Sequence, residues 1–178
     1  MTIYQTDSNY DAAKTALQIM EERSEGKIAL FSSEPAIVYG APQYVNIPAC
    51  IRRGIFMFPA SHLAGAIVCF PGDLSIMQLR YGRSTFGEDA IKTLERLVRT
   101  RSEHVLIDGN DLLVEEKKVA SWADISLSGY YQTVVHFSVH SDVDLIRELC
   151  SKPMVKMPGA LSDYGSAAAD IMTALERS

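Results

Sequence analysis

Between His104 and Val139 the chain is almost continuously strand-like, and the gaps are too short for anything but hairpins. Four stretches, His104–Ile107, Asp111–Glu115, Lys118–Leu127 and Tyr130–Val139, are rich in Val, Ile, Leu and Tyr. They are divided only by Gly109, Glu116-Lys117 and Ser128-Gly129. Links of this length join antiparallel neighbours, because a parallel return needs a long crossover. The stretch therefore predicts successive antiparallel hairpins built from residues that favour a pleated surface.

Helical signals lie outside this block. Tyr10, Ala13, Leu17 and Met20 recur at helical spacing over residues 8–23, with Ser8 or Asn9 as N-cap and Gly26 as the stop. Lys27 to Ser33 and Ala36 to Tyr39 read as strands flanking Pro35. Asn46 is expected to cap a short helix, with Pro48 in its first turn and Gly54 after its end. Ile55 to Phe58 is a strand. Gly65–Phe70 and Leu74–Arg80 are strands around the turn Pro71-Gly72-Asp73. Thr85-Phe86-Gly87-Glu88 matches a capping box, followed by the apolar stripe Ile91, Leu94, Leu97 and Val98, ending near Arg101. Ser141 with Asp144 caps a helix over Asp142–Cys150, and Ser166–Arg177 forms the last one. Helices segregated from hairpin-like strands predict an α+β fold with a mixed, largely antiparallel sheet, not a doubly wound parallel one.

A length of 178 residues suits one domain over 1–178 with a single core. The net charge of -5 gives no whole-chain attraction for nucleic acid or an anionic membrane. The longest apolar stretch, Ala64–Phe70, is too short to span a bilayer, and the polar N-terminus is not a secretory signal. Cys50, Cys69 and Cys150 show no metal-like spacing, and an odd count without a signal fits a reducing cytoplasm. Cys69, inside an apolar run, reads as a buried structural thiol. His104, His136 and His140 have no acidic partner evident in the sequence, so no zinc site is expected.

The segment Asn110-Asp111-Leu112-Leu113-Val114-Glu115-Glu116-Lys117-Lys118-Val119-Ala120-Ser121 carries the sharpest resemblance. It resembles the lipoate–protein ligases, in which Asn-Asp-Leu opens a strand and a Lys-Lys-Val or Arg-Lys-Val element opens the next. Upstream, Phe31–Gly40 is similar to the family's early strand pair, and Asn46–Cys50 with Arg53-Gly54-Ile55 to the helix before its lipoate-binding loop. Gly65–Val68 resembles its glycine-rich loop, and Gly72-Asp73-Leu74 the Gly-x-Leu beyond that loop. In order, these cover roughly residues 10–150.

The resemblance implies a class II synthetase-like cofactor-ligase catalytic domain of the lipoate, biotin and octanoyl transferase superfamily. It implies ATP and Mg²⁺ as cofactors, lipoate or a related acyl group as substrate, and a lysine on a lipoyl- or biotinyl-carrier domain as acceptor. Lys118 would take the family lysine's place against the adenylate phosphate and the acyl carbonyl. Asp111 would help hold the metal, and Gly65, Gly72, Asn110 and Ser121 would lie at the cofactor. A cation there suits the charge that develops on carbonyl and phosphate oxygens.

The pattern also departs from the family. Its Arg pair falls on Pro59 and Ala60, Gly65 alone keeps the glycine run, and Cys69 takes its His position. Ala41 replaces another Arg, and Ser121 stands where the family has a small Gly, with bulky Trp122 next. His62 is a candidate substitute phosphate donor. An octanoyl transferase variant of the superfamily uses a cysteine, which lies elsewhere than Cys69. The short C-terminus implies no small accessory domain of the kind such ligases often add. Two functions fit these observations: a divergent acyl transferase, or a catalytically degenerate ligase fold that acts as a protein-binding module.

Overall fold

The computed structural model describes residues 2–59, 65–127 and 129–176. The elements run β1 (Thr2–Thr6), α1 (Asn9–Glu21), β2 (Gly26–Phe31), β3 (Ala36–Tyr39), α2 (Ile47–Arg53), β4 (Phe56–Pro59), β5 (Ala66–Cys69) and β6 (Leu74–Tyr81). Next come α3 (Phe86–Arg99), β7 (Val105–Asp108), β8 (Asp111–Val114), β9 (Lys117–Leu127), β10 (Tyr130–Phe137), α4 (Val143–Leu149) and α5 (Ala168–Glu176). The fold is α+β, as the segregated helices imply. A seven-stranded sheet has the order β1-β2-β6-β10-β9-β8-β7, and a three-stranded sheet has the order β4-β3-β5. Among the described residues, all strand pairings are antiparallel except β1 with β2 and β3 with β4.

Strand alternation sorts the large sheet into two faces. Leu74 and Ile76 of β6, Val135 and Phe137 of β10, Ala120 of β9, and Leu112 and Val114 of β8 meet Ile91, Leu94 and Val98 of α3. The opposite face carries α1, whose Ala12 and Ile19 pack with Ile28, Leu30 and Leu79. Ile37 and Val68 of the small sheet enclose Ala49 and Cys50 of α2 and Leu149 of α4 in a separate cluster.

Three local expectations are corrected. The strand β1 is not among those the sequence predicts; Thr2–Thr6 pairs in parallel with β2 through the α1 crossover. The capping box does not form: Thr85 donates to Asp89 Oδ2 (2.6 Å), and Ser84 Oγ accepts from Phe86 N (3.0 Å). The cap of α4 is Asp142, whose carboxylate accepts from Leu145 N (2.9 Å), while the buried Ser141 hydroxyl has no partner.

Candidate functional site

Directly paired residues of an antiparallel sheet share a face. Ser75 on β6 faces His136 on β10, His136 faces Ser121 on β9, and Ser121 faces Asp111 on β8. The register thus lays four polar side chains in one row across the face opposite α3. A bulge between Leu112 and Leu113 then pairs Lys118 with Leu113. This shift brings Lys118 Nζ to 3.3 Å from Asp111 Oδ1.

Asp111, Ser121 and His136 of this row, with Lys118, floor a cavity of about 560 Å³. Gly65 to Val68 form one wall, and Ile146, Cys150 and the segment Lys152–Lys156 form another. That segment is pinned to β9 by backbone: Lys118 N donates to Met157 O (2.7 Å), and Gly159 N to Lys118 O (2.9 Å). Lys156 is thereby held against two carboxylates, its Nζ 2.7 Å from Asp111 Oδ2 and 2.9 Å from Asp108 Oδ2. Hydrogen bonding to Asp111 and then to Asp108 pushes its pKa up. Lys152 lies over the Tyr44 ring at 4.5 Å. The lining thus has three ammonium groups and the single carboxylate of Asp111, a local excess of positive charge in an acidic chain.

His136 and Asp73 form a buried polar pair beside the floor. Asp73 is fully buried and accepts from Phe70 N (2.8 Å), Val139 N (2.7 Å) and His140 N (2.9 Å), tying the turn after β5 to the end of β10. His136 Nδ1 is 2.9 Å from Ser75 Oγ, and its Nε2, 3.7 Å from Asp73 Oδ2, has no hydrogen-bond partner. Burial lowers the His136 pKa, Asp73 opposes this, and Lys118 adds to it. Proximity to the carboxylate suggests an ion pair, but desolvation dominates at this depth and the ring is neutral. The expectation that His136 has no acidic partner is corrected: Asp73 lies in the turn that leads into the neighbouring strand.

Of the expected site residues, Lys118, Asp111, Ser121 and Gly65 come together at the cavity. Asn110 and Gly72 are not among its lining residues. Asn110 is exposed, and its carbonyl accepts from Trp122 N (3.0 Å). Gly72 serves the turn: its φ is +92°, and a Cβ there would stand 2.8 Å from His140 Nε2. Asp111 is not open to a metal, since an ammonium engages each of its oxygens. Magnesium prefers an octahedron of oxygens that includes several waters, so the residues as arranged do not fit it. Among the described residues no group of three His, Cys, Asp or Glu is placed to hold a metal ion.

Trp122 does not fill the cavity; it packs on the α3 side, where a Cβ at Gly87 would stand 2.5 Å from its ring. Cys69 is buried, its thiol pushed up to about 12 by burial and then by Asp73, as a structural thiol would be. Cys150 lines the cavity instead, with burial and then Cys50 pushing its pKa up. His62 lies outside the described residues. Lys152, Lys156, Asp73 and His136 belong to the site without being marked by any sequence motif. Strand register would have marked His136, since it shares a row with Ser121 and Asp111.

No family model matches the sequence, and no curated protein matches it. Solved structures do. The chain is similar over 99% of its length to P. falciparum LipL1 in complex with lipoate, with TM-score 0.77, 9% identity and 60% of that chain covered. It is similar to lipoate-protein ligase A bound with ATP, with TM-score 0.76, 16% identity, and 99% and 82% of the two chains covered. A putative lipoate protein ligase from T. acidophilum with bound lipoic acid gives TM-score 0.74 and 15% identity, over 99% of this chain and 82% of that one. The fold is therefore that of the lipoate- and biotin-protein ligase catalytic domains. The chain spans about 60% of the length of the P. falciparum protein.

Proposed function

We propose that the protein is a lipoate-protein-ligase-like transferase. It would hold an activated acyl group, as an acyl-adenylate or from another donor, for transfer to a lysine of a lipoyl- or biotinyl-carrier domain. The observation that carries this reading is the cavity itself. On a ligase fold, Lys118 faces it beside two further ammonium groups, with apolar Ala66 to Val68 opposite. Such a lining suits a ligand with an apolar chain and an anionic head. The carrier amine attacks the acyl carbon, the C–N bond forms, and the bond from acyl carbon to phosphate oxygen breaks. Lys118 stabilises the negative charge on the carbonyl oxygen, the departing AMP takes up the electron pair, and the proton shed by the amine nitrogen passes to solvent. Lys152 offers positive charge that the replaced Arg pair does not. ATP would supply the adenylate.

One neighbouring structure is described as a bi-partite archaeal ligase with its E2 lipoyl domain. A carrier domain is accordingly the proposed partner. The proposed setting is the cytoplasm; among the described residues, no helix is long and apolar enough to cross a membrane.

A second reading, a degenerate ligase fold acting as a protein-binding module, is favoured by Pro59 standing where the family has Arg. Calorimetric titration with ATP–Mg²⁺, lipoate, biotin and a non-hydrolysable lipoyl-adenylate separates the two. The transferase reading expects the adenylate analogue to bind, and Lys118→Ala to weaken it about 100-fold, the worth of a charge-assisted contact in a desolvated site. Absence of binding by every ligand would overturn the transferase reading and send the second to a pull-down for a protein partner.

A further inference from the structure

Asp111, the residue that the resemblance assigns to a metal, is already neutralised, together with its neighbour Asp108. Asp108 and Asp111 lie at the two ends of the β7–β8 hairpin turn and face each other in register. Lys156 Nζ is 2.9 Å from one carboxylate and 2.7 Å from the other, and it also donates to the Asp108 carbonyl (3.3 Å). It therefore has three oxygen acceptors, the number of N–H donors on an ammonium. Lys118 takes the remaining Asp111 oxygen at 3.3 Å.

This arrangement does not depend on one long side chain choosing its rotamer. The backbone of Met157 and Gly159 brackets Lys118 on β9, and Pro158 makes a parallel bridge with it. Gly159 permits that approach, because a Cβ there would stand 2.8 Å from Lys117 Cβ. The fold thus delivers Lys156 to the aspartate pair. A divalent ion entering there would meet two ammonium groups at contact range, a strong repulsion in a partly desolvated site.

We propose that Lys156 is a resident cation that takes the place of a divalent metal between Asp108 and Asp111, so that ligand binding at this cavity is metal-independent. The metal part of this inference stands apart from the acyl-transfer reading; the ligand part rests on it. As a positioning residue, Lys156 fixes Asp111, and through Asp111 it fixes Lys118. The aspartate hairpin becomes a metal site only when this ammonium is removed.

The test uses Mn²⁺ as a paramagnetic stand-in for Mg²⁺ and reads the broadening of backbone amide signals in the full chain. In the wild type, Mn²⁺ is expected to leave the amides of Asp108 to Ser121 unbroadened below the millimolar range. In Lys156→Met and, independently, Lys156→Gln, saturable broadening is expected there, and it should vanish when Asp111→Asn is added. Saturable broadening in the wild type overturns the proposal, and so does its absence from both folded variants. A second arm measures affinity for the non-hydrolysable lipoyl-adenylate with Mg²⁺ and with a chelator. Agreement within about twofold is expected, and a loss above about tenfold on chelation overturns the proposal. If the analogue does not bind the wild type at all, the acyl-site reading fails, while the Mn²⁺ arm still decides the role of Lys156.

Discussion

Asp73 shows how one side chain can hold a site without lining it. Its carboxylate is fully buried, and three backbone N–H groups, from the β5–β6 turn and from the end of β10, donate to it. Asp73→Ala would leave the N–H groups of Phe70, Val139 and His140 without acceptors in a dry interior. Each such orphan costs about 1–3 kcal/mol, offset in part by the carboxyl group no longer being buried. We expect a loss of about 3 kcal/mol, read as a lower urea midpoint at unchanged slope. A loss below about 1 kcal/mol would mean that water replaces the carboxylate and that the tie is dispensable. In sequence Asp73 is legible only as a turn residue, because a local signal cannot reveal acceptance from residues 66 and 67 positions later.

At the scale of elements, the hairpins are legible in the sequence and the long-range docking is not. The strands from β7 to β10 come from apolar runs with turn residues between them, and α2 from Asn46, Pro48 and Gly54, because those signals act within a few residues. The strand β1 is hidden because its five residues have no periodicity of their own beyond what β2 confirms. In the segment from Ser151 to Gly159 the sequence shows only Pro and Gly signals, yet the segment carries two of the three cavity ammonium groups. Gly159 is its point of closest approach, with Val119 Cγ1 3.0 Å from where a Cβ would sit. Gly159→Val should therefore push the segment off β9, at about 1–3 kcal/mol of overpacking, and weaken the adenylate analogue as Lys156 and Lys152 move. Unchanged stability and affinity in this variant would show that the segment binds nothing that its position controls.

On the scale of the whole molecule, the sheet has an apolar face against α3 and a face whose polar row floors the cavity, and His136 is where burial and charge compete. Of the described groups whose titration is displaced, His136 is the one whose ordinary value, 6.5, falls between neutral and mildly acid pH. Its pKa is lowered in the folded protein, so the unfolded chain binds the proton more readily. Stability from the neutral ring is present above 6.5 and is lost as pH falls from there toward the depressed folded value. Unfolding midpoints should therefore fall between about pH 7.5 and about pH 5.5, a slope that His136→Gln flattens because it keeps a polar amide and removes the titration. The carboxylate of Asp73 acts in the opposite sense, which limits the slope without reversing it, since burial is the largest cause. If the variant kept the wild-type slope, the loss would have to come from another group, and the neutral histidine beside the cavity floor would no longer be part of what holds the fold.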